Sequence, residues 1–258
     1  MRLQHSTWPD IESYLSRSQG IVLPMGSTEQ HGPTGLIGTD AITSESIAWA
    51  MQAHCDVLIG PTLSVGPAAF NLDFPGTVCV RPSTWMALVM DCIQSLSHQG
   101  FRAFYLINGH GGNLAPTLSA IQEIQWTRSL ANSPALPLFF QVRSWWDFPS
   151  VNEMRKTWYG GGEGMHATPS ELSITRYTHA EHCPVDALQP APPLNADFLR
   201  LHAGDQHADA KHHRAIFPDG RVGSHSALSN PVHGKALLEA AALAASEEYL
   251  GLLKELSA

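Results

Sequence analysis

Positive charge is scarce in this chain of 258 residues: 15 Lys and Arg stand against 23 Asp and Glu, a formal net charge of −8 at pH 7. The basic residues form no run dense enough to track a phosphate backbone, which sets nucleic acid aside as a partner. Charge of either sign is sparse, at 15% of residues against 43% hydrophobic, so the chain can bury a generous core. Long apolar runs are missing: nothing approaches the roughly 20 uninterrupted apolar residues of a membrane span. The stretch from Met1 to Pro9 is too polar for the apolar region of a signal peptide. The expectation is a soluble, cytoplasmic protein. Cysteine is also thin. Cys55, Cys79, Cys92 and Cys183 lie far apart with no Cys-x-x-Cys pair, which suggests neither a disulfide framework nor a thiolate zinc site. Histidine, by contrast, is abundant at 14 residues and hints at metal or proton chemistry, although a scattered His is commonly a surface or hydrogen-bonded core residue.

Short apolar runs at Ile21–Leu23, Val57–Ile59, Ala103–Ile107 and Leu136–Val142, bounded by Gly, Pro or Asn, read as buried strands. Helical periods lie between them. Met86, Val89, Met90, Ile93 and Leu96 repeat behind Ser83 as N-cap, and Leu114, Leu118 and Ile121 repeat with Pro116 in a first turn. Ile47, Ala50 and Met51 mark a helix behind Thr43, and an Ala/Leu-rich tract from about 231 to 253 marks a long terminal one. This alternation predicts a single-domain α/β fold, a mostly parallel β-sheet flanked by helices on both faces, with reactive groups at the carboxyl ends of the strands. A Pro-, His- and Asp-rich stretch at about 187–221 has no sustained period and reads as a loop excursion or a subunit contact.

The first strand runs into Glu29-Gln-His31-Gly-Pro and on to Gly38-Thr-Asp40. Residues two apart in extended chain share a face, so Glu29 and His31 can converge, and the Gly/Pro-rich stretch can fold Asp40 back to the same place. Carboxylates and imidazole suit Zn²⁺, Mn²⁺ or Fe²⁺. The plainer reading leaves Glu29 and Asp40 as turn and helix caps and His31 as a hydrogen-bonded loop residue. The third strand ends in Asn108-Gly-His110-Gly-Gly-Asn113, where glycines let backbone and ligand approach closely. That turn lacks both the G-x-G-x-x-G spacing and a P-loop Lys, which disfavours a phosphate cradle. A third cluster, Gly160-Gly-Gly-Glu163-Gly-Met-His166-Ala-Thr-Pro-Ser-Glu171, leads a glycine-rich loop to His166. A helix capped by Thr168 or Ser170 follows, with Glu171 in its first turn.

Taken together, Glu29-Gln-His31-Gly-Pro to Asp40, Phe74-Pro-Gly-Thr77, Asn108-Gly-His110-Gly-Gly-Asn113 and His166 to Glu171 resemble the creatininase (creatinine amidohydrolase) family. The blocks stand in family order over about residues 20–175. The resemblance implies a compact α/β fold, a binuclear site for Zn²⁺ and/or Mn²⁺, hydrolysis of a non-peptide or cyclic amide, and a homo-oligomer, frequently a hexamer. It also implies that Glu29 binds one metal, His31 the other, Asp40 bridges them, and His110 completes the first. Creatininase has a further Glu ligand where this chain has Gly112. Relatives with the same Gly-Gly turn carry a Glu that falls on Glu171, which binds metal directly or supports a ligand. Ala68, Asn71, Thr34 and the Thr168-Pro-Ser segment depart from the family pattern around the pocket, so creatinine itself is not the expected substrate.

On this reading His166 shuttles a proton, the N–H groups of Gly111 and Gly112 serve as oxyanion donors, and Trp145, Trp146, Trp158 and Tyr159 offer an aromatic lid over a small-molecule amide, unless they are core or subunit contacts. Three rivals stay open. One is a peptidase or deformylase acting on a linear amide, another a nucleotide-binding oxidoreductase, and the last a metal-binding protein without turnover.

Overall fold

The protein was analysed as a computed structural model, which describes residues 1–131, 136–184, 188–195, 197–198 and 209–257. Three strands, β1 (Gly20–Met25), β2 (Ala103–Asn108) and β3 (Phe139–Ser144), form a wholly parallel sheet in the order β1-β2-β3. Register pairs Gly20 with Ala103 and Ala103 with Phe139, so Met25, Asn108 and Ser144 finish side by side at one edge. Every residue of β1 and β2 is buried, which is why their sequences run apolar rather than alternating.

Strand periodicity divides the core in two. Ile21, Leu23, Phe104 and Leu106 pack on one face with Trp85, Val89, Ile93 and Ile124, carried by α3 (Pro82–His98) and α4 (Leu114–Leu130). α1 (Trp8–Leu15) joins this face through Ile11 and Tyr14. Val22, Tyr105 and Ile107 point the other way, towards Ile47 of α2 (Thr39–Ala50) and Leu237 and Ala241 of α8 (Pro231–Ser257). α5 (Pro149–Tyr159) and α6 (Pro169–Thr178) add Val151, Tyr159 and Ile174 to that side. Helices thus cover both faces, as the alternation of elements predicts.

Four local expectations are corrected. The Val57–Ile59 run makes only isolated bridges to Arg2 and Val22. Val22 N–H donates to Leu58 and Gly60 N–H to Val22, but Gly60-Pro61 follows, and a proline has no N–H to continue a ladder. α3 starts at Pro82 with Arg81 as N-cap rather than Ser83, because proline suits the first helical position. α2 begins before Thr43, so that Asp40 lies in its first turn. The last strand starts at Phe139, since Pro137 precedes it and Leu136 is exposed. Of the 187–221 excursion, residues 187, 196 and 199–208 lie outside the described residues; α7 (Ala210–Ile216) occupies part of the remainder.

Candidate metal centre

Two glycines let α2 sit directly on the strand ends. A Cβ at Gly26 would lie 2.3 Å from the Ala41 nitrogen, and one at Gly109 would lie 2.1 Å from the Asp40 carbonyl oxygen. Any side chain there would push the first turn of α2, and Asp40 with it, off the sheet edge. Beyond β1 the chain stays extended, with Glu29 N–H donating to Ile37 and His31 bridged to Gly35, so Glu29 and His31 project together. Beyond β2, Asn108 ties down the turn that carries His110. Its Nδ2 donates to the His110 carbonyl at 2.7 Å and its Oδ1 accepts from His110 N–H at 3.2 Å. Thr168 caps α6 in a capping box, and Glu171 Oε1 accepts from the Thr168 backbone N–H. That bond leaves Glu171 Oε2 to face the cluster. Ala167, between His166 and Thr168, takes a left-handed φ of 55° while buried, and this strained residue joins the glycine loop to the cap.

Each imidazole spends one nitrogen on a backbone carbonyl. His110 Nε2 lies 2.8 Å from Pro67 O, His31 Nδ1 lies 3.1 Å from Glu29 O, and His166 Nε2 lies 2.7 Å from Gln30 O. A carbonyl only accepts, so those nitrogens carry the proton, and in the neutral ring the other nitrogen is a bare lone pair. Those lone pairs face carboxylates. His110 Nδ1 is 3.1 Å from Glu29 Oε1 and 3.2 Å from Asp40 Oδ2. His31 Nε2 is 2.9 Å from Asp40 Oδ1 and 3.9 Å from Glu171 Oε2, and His166 Nδ1 is 3.9 Å from Glu29 Oε1. Lone pairs so close repel unless a proton or a cation lies between them.

The donor set fits divalent cations. Glu29 Oε1 and Asp40 Oδ2 are buried and meet no donor in hydrogen-bond geometry among the described residues. Ligand atoms about 2.0–2.2 Å from a tetrahedral cation stand about 3.3–3.6 Å apart, slightly wider than the 3.1 and 3.2 Å spacing around His110 Nδ1. Glu29, Asp40 and His110 form one group able to hold an ion, and His31, Asp40 and Glu171 form a second that shares Asp40. Glu29, His31 and His166 form a third. Glu29 is further fixed by Asn71, whose Nδ2 donates to Oε2 at 3.1 Å while its Oδ1 accepts from Gln30 at 2.8 Å. In the sequence Asn71 stands out only as a departure from the family pattern; nothing in its spacing reveals this contact.

Electrostatics divide the groups. Burial pulls His31 down, but the charge and hydrogen bond of Asp40, with Glu171 and Glu29 nearby, raise it to about 10. His110 is likewise raised well above its usual value, against burial, by Glu29 and Asp40. Burial pushes Asp40 up, yet His31 and His110 hold it below the usual carboxylate range. Burial raises Glu171 to about 7, and burial followed by the charge of His31 lowers His166 to about 3. A strongly basic pair and one neutral imidazole therefore share a single site.

A cavity of about 320 Å³ opens onto the cluster, walled by Phe70, Gly111, Trp145, Trp146 and Met165. Trp145 and Trp146 line this cavity. Trp158 and Tyr159 do not line this cavity: Trp158 stacks on His233 with centroids 4.1 Å apart, and the buried Tyr159 hydroxyl meets Ser173 and His233. Their position at the end of α5, packed towards α8, corrects the expectation that they touch substrate. Gly112 sits behind His110, where a Cβ would be 2.5 Å from Pro67 O, and only Gly111 of the pair lines the cavity.

The fold and the cluster define an α/β protein with a candidate two-cation centre at the carboxyl edge of its sheet. The family model for creatininase, described as creatinine amidohydrolase, matches residues 4–248, and the chain belongs to that family. Among curated proteins it is similar to the mycofactocin precursor peptide peptidase of Mycolicibacterium smegmatis, 29% identical over 112 residues, or 41% of this chain and 45% of that one. It is also similar to the 3-dehydro-scyllo-inosose hydrolase of Thermotoga maritima, 28% identical over 109 residues, or 42% and 35% of the two chains. The chain thus spans less than half the length of these relatives in the matched region. The crystal structure of creatinine amidohydrolase (creatininase) shares the fold, with a TM-score of 0.80 at 20% identity over 98% of this chain and 97% of that one. A manganese form of creatininase gives 0.81 at 19% identity over 98% of each chain.

Proposed function

We propose that the chain is a metal-dependent amidohydrolase that cleaves a C–N bond of a non-peptide, cyclic amide. Glu29, Asp40 and His110 would hold one divalent ion and His31, Asp40 and Glu171 a second, Zn²⁺ and/or Mn²⁺. The single observation that carries this reading is the convergence of three carbonyl-anchored imidazoles on three buried carboxylates. Bound there, the ions supply Lewis acidity and bring the pKa of water towards neutral.

The chain's own groups do the rest. His166 keeps its Nε2 proton on Gln30, so its bare Nδ1 takes a proton inside the cavity and passes it to the leaving nitrogen. Gly111 lines the cavity wall, and its N–H would donate to the amide oxygen as negative charge develops there. Phe70, Trp145 and Trp146 exclude bulk water and strengthen every charge interaction inside. No helix among the described residues is long and apolar enough to cross a membrane. The reading extends to a homo-hexamer acting in the cytoplasm on a small molecule, which ultracentrifugation and fractionation check.

A second reading is favoured by the mycofactocin peptidases among the relatives: cleavage of a linear amide by the same residues. Elemental analysis after gentle purification, followed by hydrolysis assays on lactams, formamides and short peptides, separates the two. A folded chain that takes up neither Zn²⁺ nor Mn²⁺ refutes both readings, and turnover confined to peptides refutes the first.

A further inference from the structure

The cavity that opens onto the acidic cluster is also lined by two side chains with unspent donors, Arg155 and Trp145. Arg155, in α5, is the one Lys or Arg among the described residues lining the cavity, and its side chain is only 17% exposed. Its Nε donates to Glu163 Oε1 at 2.9 Å. Glu163 also accepts from Ser170 Oγ, in the first turn of α6 beside Glu171, so the carboxylate that grips Arg155 is itself fixed to the metal-facing helix. An arginine serving only as a strut would close its fork on both carboxylate oxygens. This one does not. Glu163 Oε2 is buried without a hydrogen-bond partner among the described residues, and no hydrogen bond joins Arg155 Nη2 to any of them. Nη1 has a single long contact, 3.4 Å, to the Trp146 carbonyl. The far edge of the guanidinium, Nη1 with Nη2, is thus held in place and unspent.

Trp145 adds a second donor. Its indole is 1% exposed, its Nε1–H has no acceptor among the described residues, and its ring lies 5.9 Å from the Arg155 guanidinium while lining the same cavity. A buried donor left without an acceptor, as Trp145 Nε1 is, is costly, and a planar carboxylate offers a guanidinium edge two parallel acceptors. Asp147, a carboxylate lining the same cavity, is exposed and lies near enough for its charge to act on Arg155 and Arg143, but it makes no hydrogen bond to the guanidinium.

We propose that Arg155, assisted by Trp145, is the specificity site of this cavity and receives a carboxylate of the substrate. The amide cleaved is then an acid, a lactam or N-acyl compound that also carries a free carboxylate. This rests on the amidohydrolase reading for the word substrate, but the anion site can be read out by binding alone.

The experiment titrates the Zn²⁺-loaded full chain by calorimetry with two matched pairs, succinate against succinamate and glutarate against glutaramate. The two pairs differ by one methylene, so they sample two spans between a carboxylate on the metal centre and one on the arginine. At least one diacid should bind about 10- to 100-fold more tightly than its monoamide, the range for a hydrogen bond to a charged group. The preference should vanish in Arg155→Met, survive in part in Arg155→Lys, which keeps the charge but not the fork, and persist in Asp147→Asn. Metal content and circular dichroism of Arg155→Met should match the parent; if that variant misfolds, Arg155→Lys and Trp145→Phe carry the comparison. With pyroglutamate against its carboxamide, Arg155→Met should raise KM for the acid with kcat within about threefold. A parent chain indifferent to the second carboxylate, or a preference that persists in Arg155→Met, overturns the proposal. Diacid preference without hydrolysis of any amide in the panel would instead overturn the amidohydrolase reading and leave the anion site standing.

Discussion

Glu171 performs two tasks with two oxygens, and a pair of substitutions separates them. Oε1 accepts from the Thr168 backbone N–H and completes the cap of α6, while Oε2 lies 3.9 Å from His31 Nε2 in the group it shares with Asp40. Glu171→Gln keeps a carbonyl oxygen for the cap and removes the charge that would hold a cation. The variant should therefore fold with a near-parental melting temperature when chelated, and bind about one ion per chain instead of two, the remaining one on Glu29, Asp40 and His110. Glu171→Ala removes the cap as well, which costs about 1 kcal/mol more. In a chain of this size that lowers the melting temperature by about 2–4 °C. Thr168→Ala is the control: it should share the loss of stability and keep both ions. The assays are elemental analysis after gel filtration and differential scanning fluorimetry with and without a chelator. Two ions bound at parental affinity by Glu171→Gln would show that the carboxylate only caps its helix, and the assignment of the second cation group would fall with it.

Three further outcomes follow from the same geometry. Asp40→Asn should loosen both ions, because Asp40 belongs to both candidate groups; analysis showing one ion unaffected would end the bridging assignment. His166→Ala should lower kcat about 10²- to 10⁴-fold with both ions retained, and loss of an ion would make His166 a ligand through the third group. Chelated protein should lose stability as pH rises above 7. His31 holds its proton in the folded chain to about 10, against 6.5 when unfolded, so its contribution is complete below 6.5 and lost on rising through 10. Glu171, raised to about 7 from 4.5, acts in the same direction but only between those two values, while His166, lowered to about 3, opposes it only below 6.5. Metal displaces these protons, so the gap in melting temperature between loaded and chelated protein should widen from pH 6 to pH 9, and a constant gap would contradict the account.

What was legible in the sequence was whatever depends on local spacing. The cores of β1 and β2 are short apolar runs ended by Gly or Asn, and the separation of two between Glu29 and His31 holds in the extended chain that follows β1. His110, flanked by glycines at a strand end, also lies where the pattern predicts. Features set by distant packing were not legible. Gly38, the N-cap of α2, makes no side-chain capping bond, so nothing in the sequence shows that Asp40 belongs to a helix. Trp158 and Tyr159 adjoin the glycine loop in sequence but are turned away from it by α8. Arg155 reads as an ordinary polar residue and Asn71 only as a departure from the family pattern, because what distinguishes them is a partner 8 and 42 positions away.

The same comparison shows why acids can be massed at this edge at all. Asp40 and Glu171 both stand in the first turn of a helix, α2 and α6, at the positive end of its dipole. Each such end favours a nearby carboxylate by about 0.3–1 kcal/mol, up to about 2 kcal/mol when partly buried. That offsets only a fraction of the several kcal/mol it costs to bury each charge. Protons on His31 and His110 can offset the remainder in the absence of metal, which is why both are held so basic. Divalent charge would release those protons and take their place between the same atoms. The close approach at Gly26 and Gly109 makes this exchange geometrically possible, since it sets the amino end of α2 on the strand ends where His110 and Glu29 emerge. The sheet register, two glycines and two helix termini thus account for a charge-dense pocket that no single motif could build.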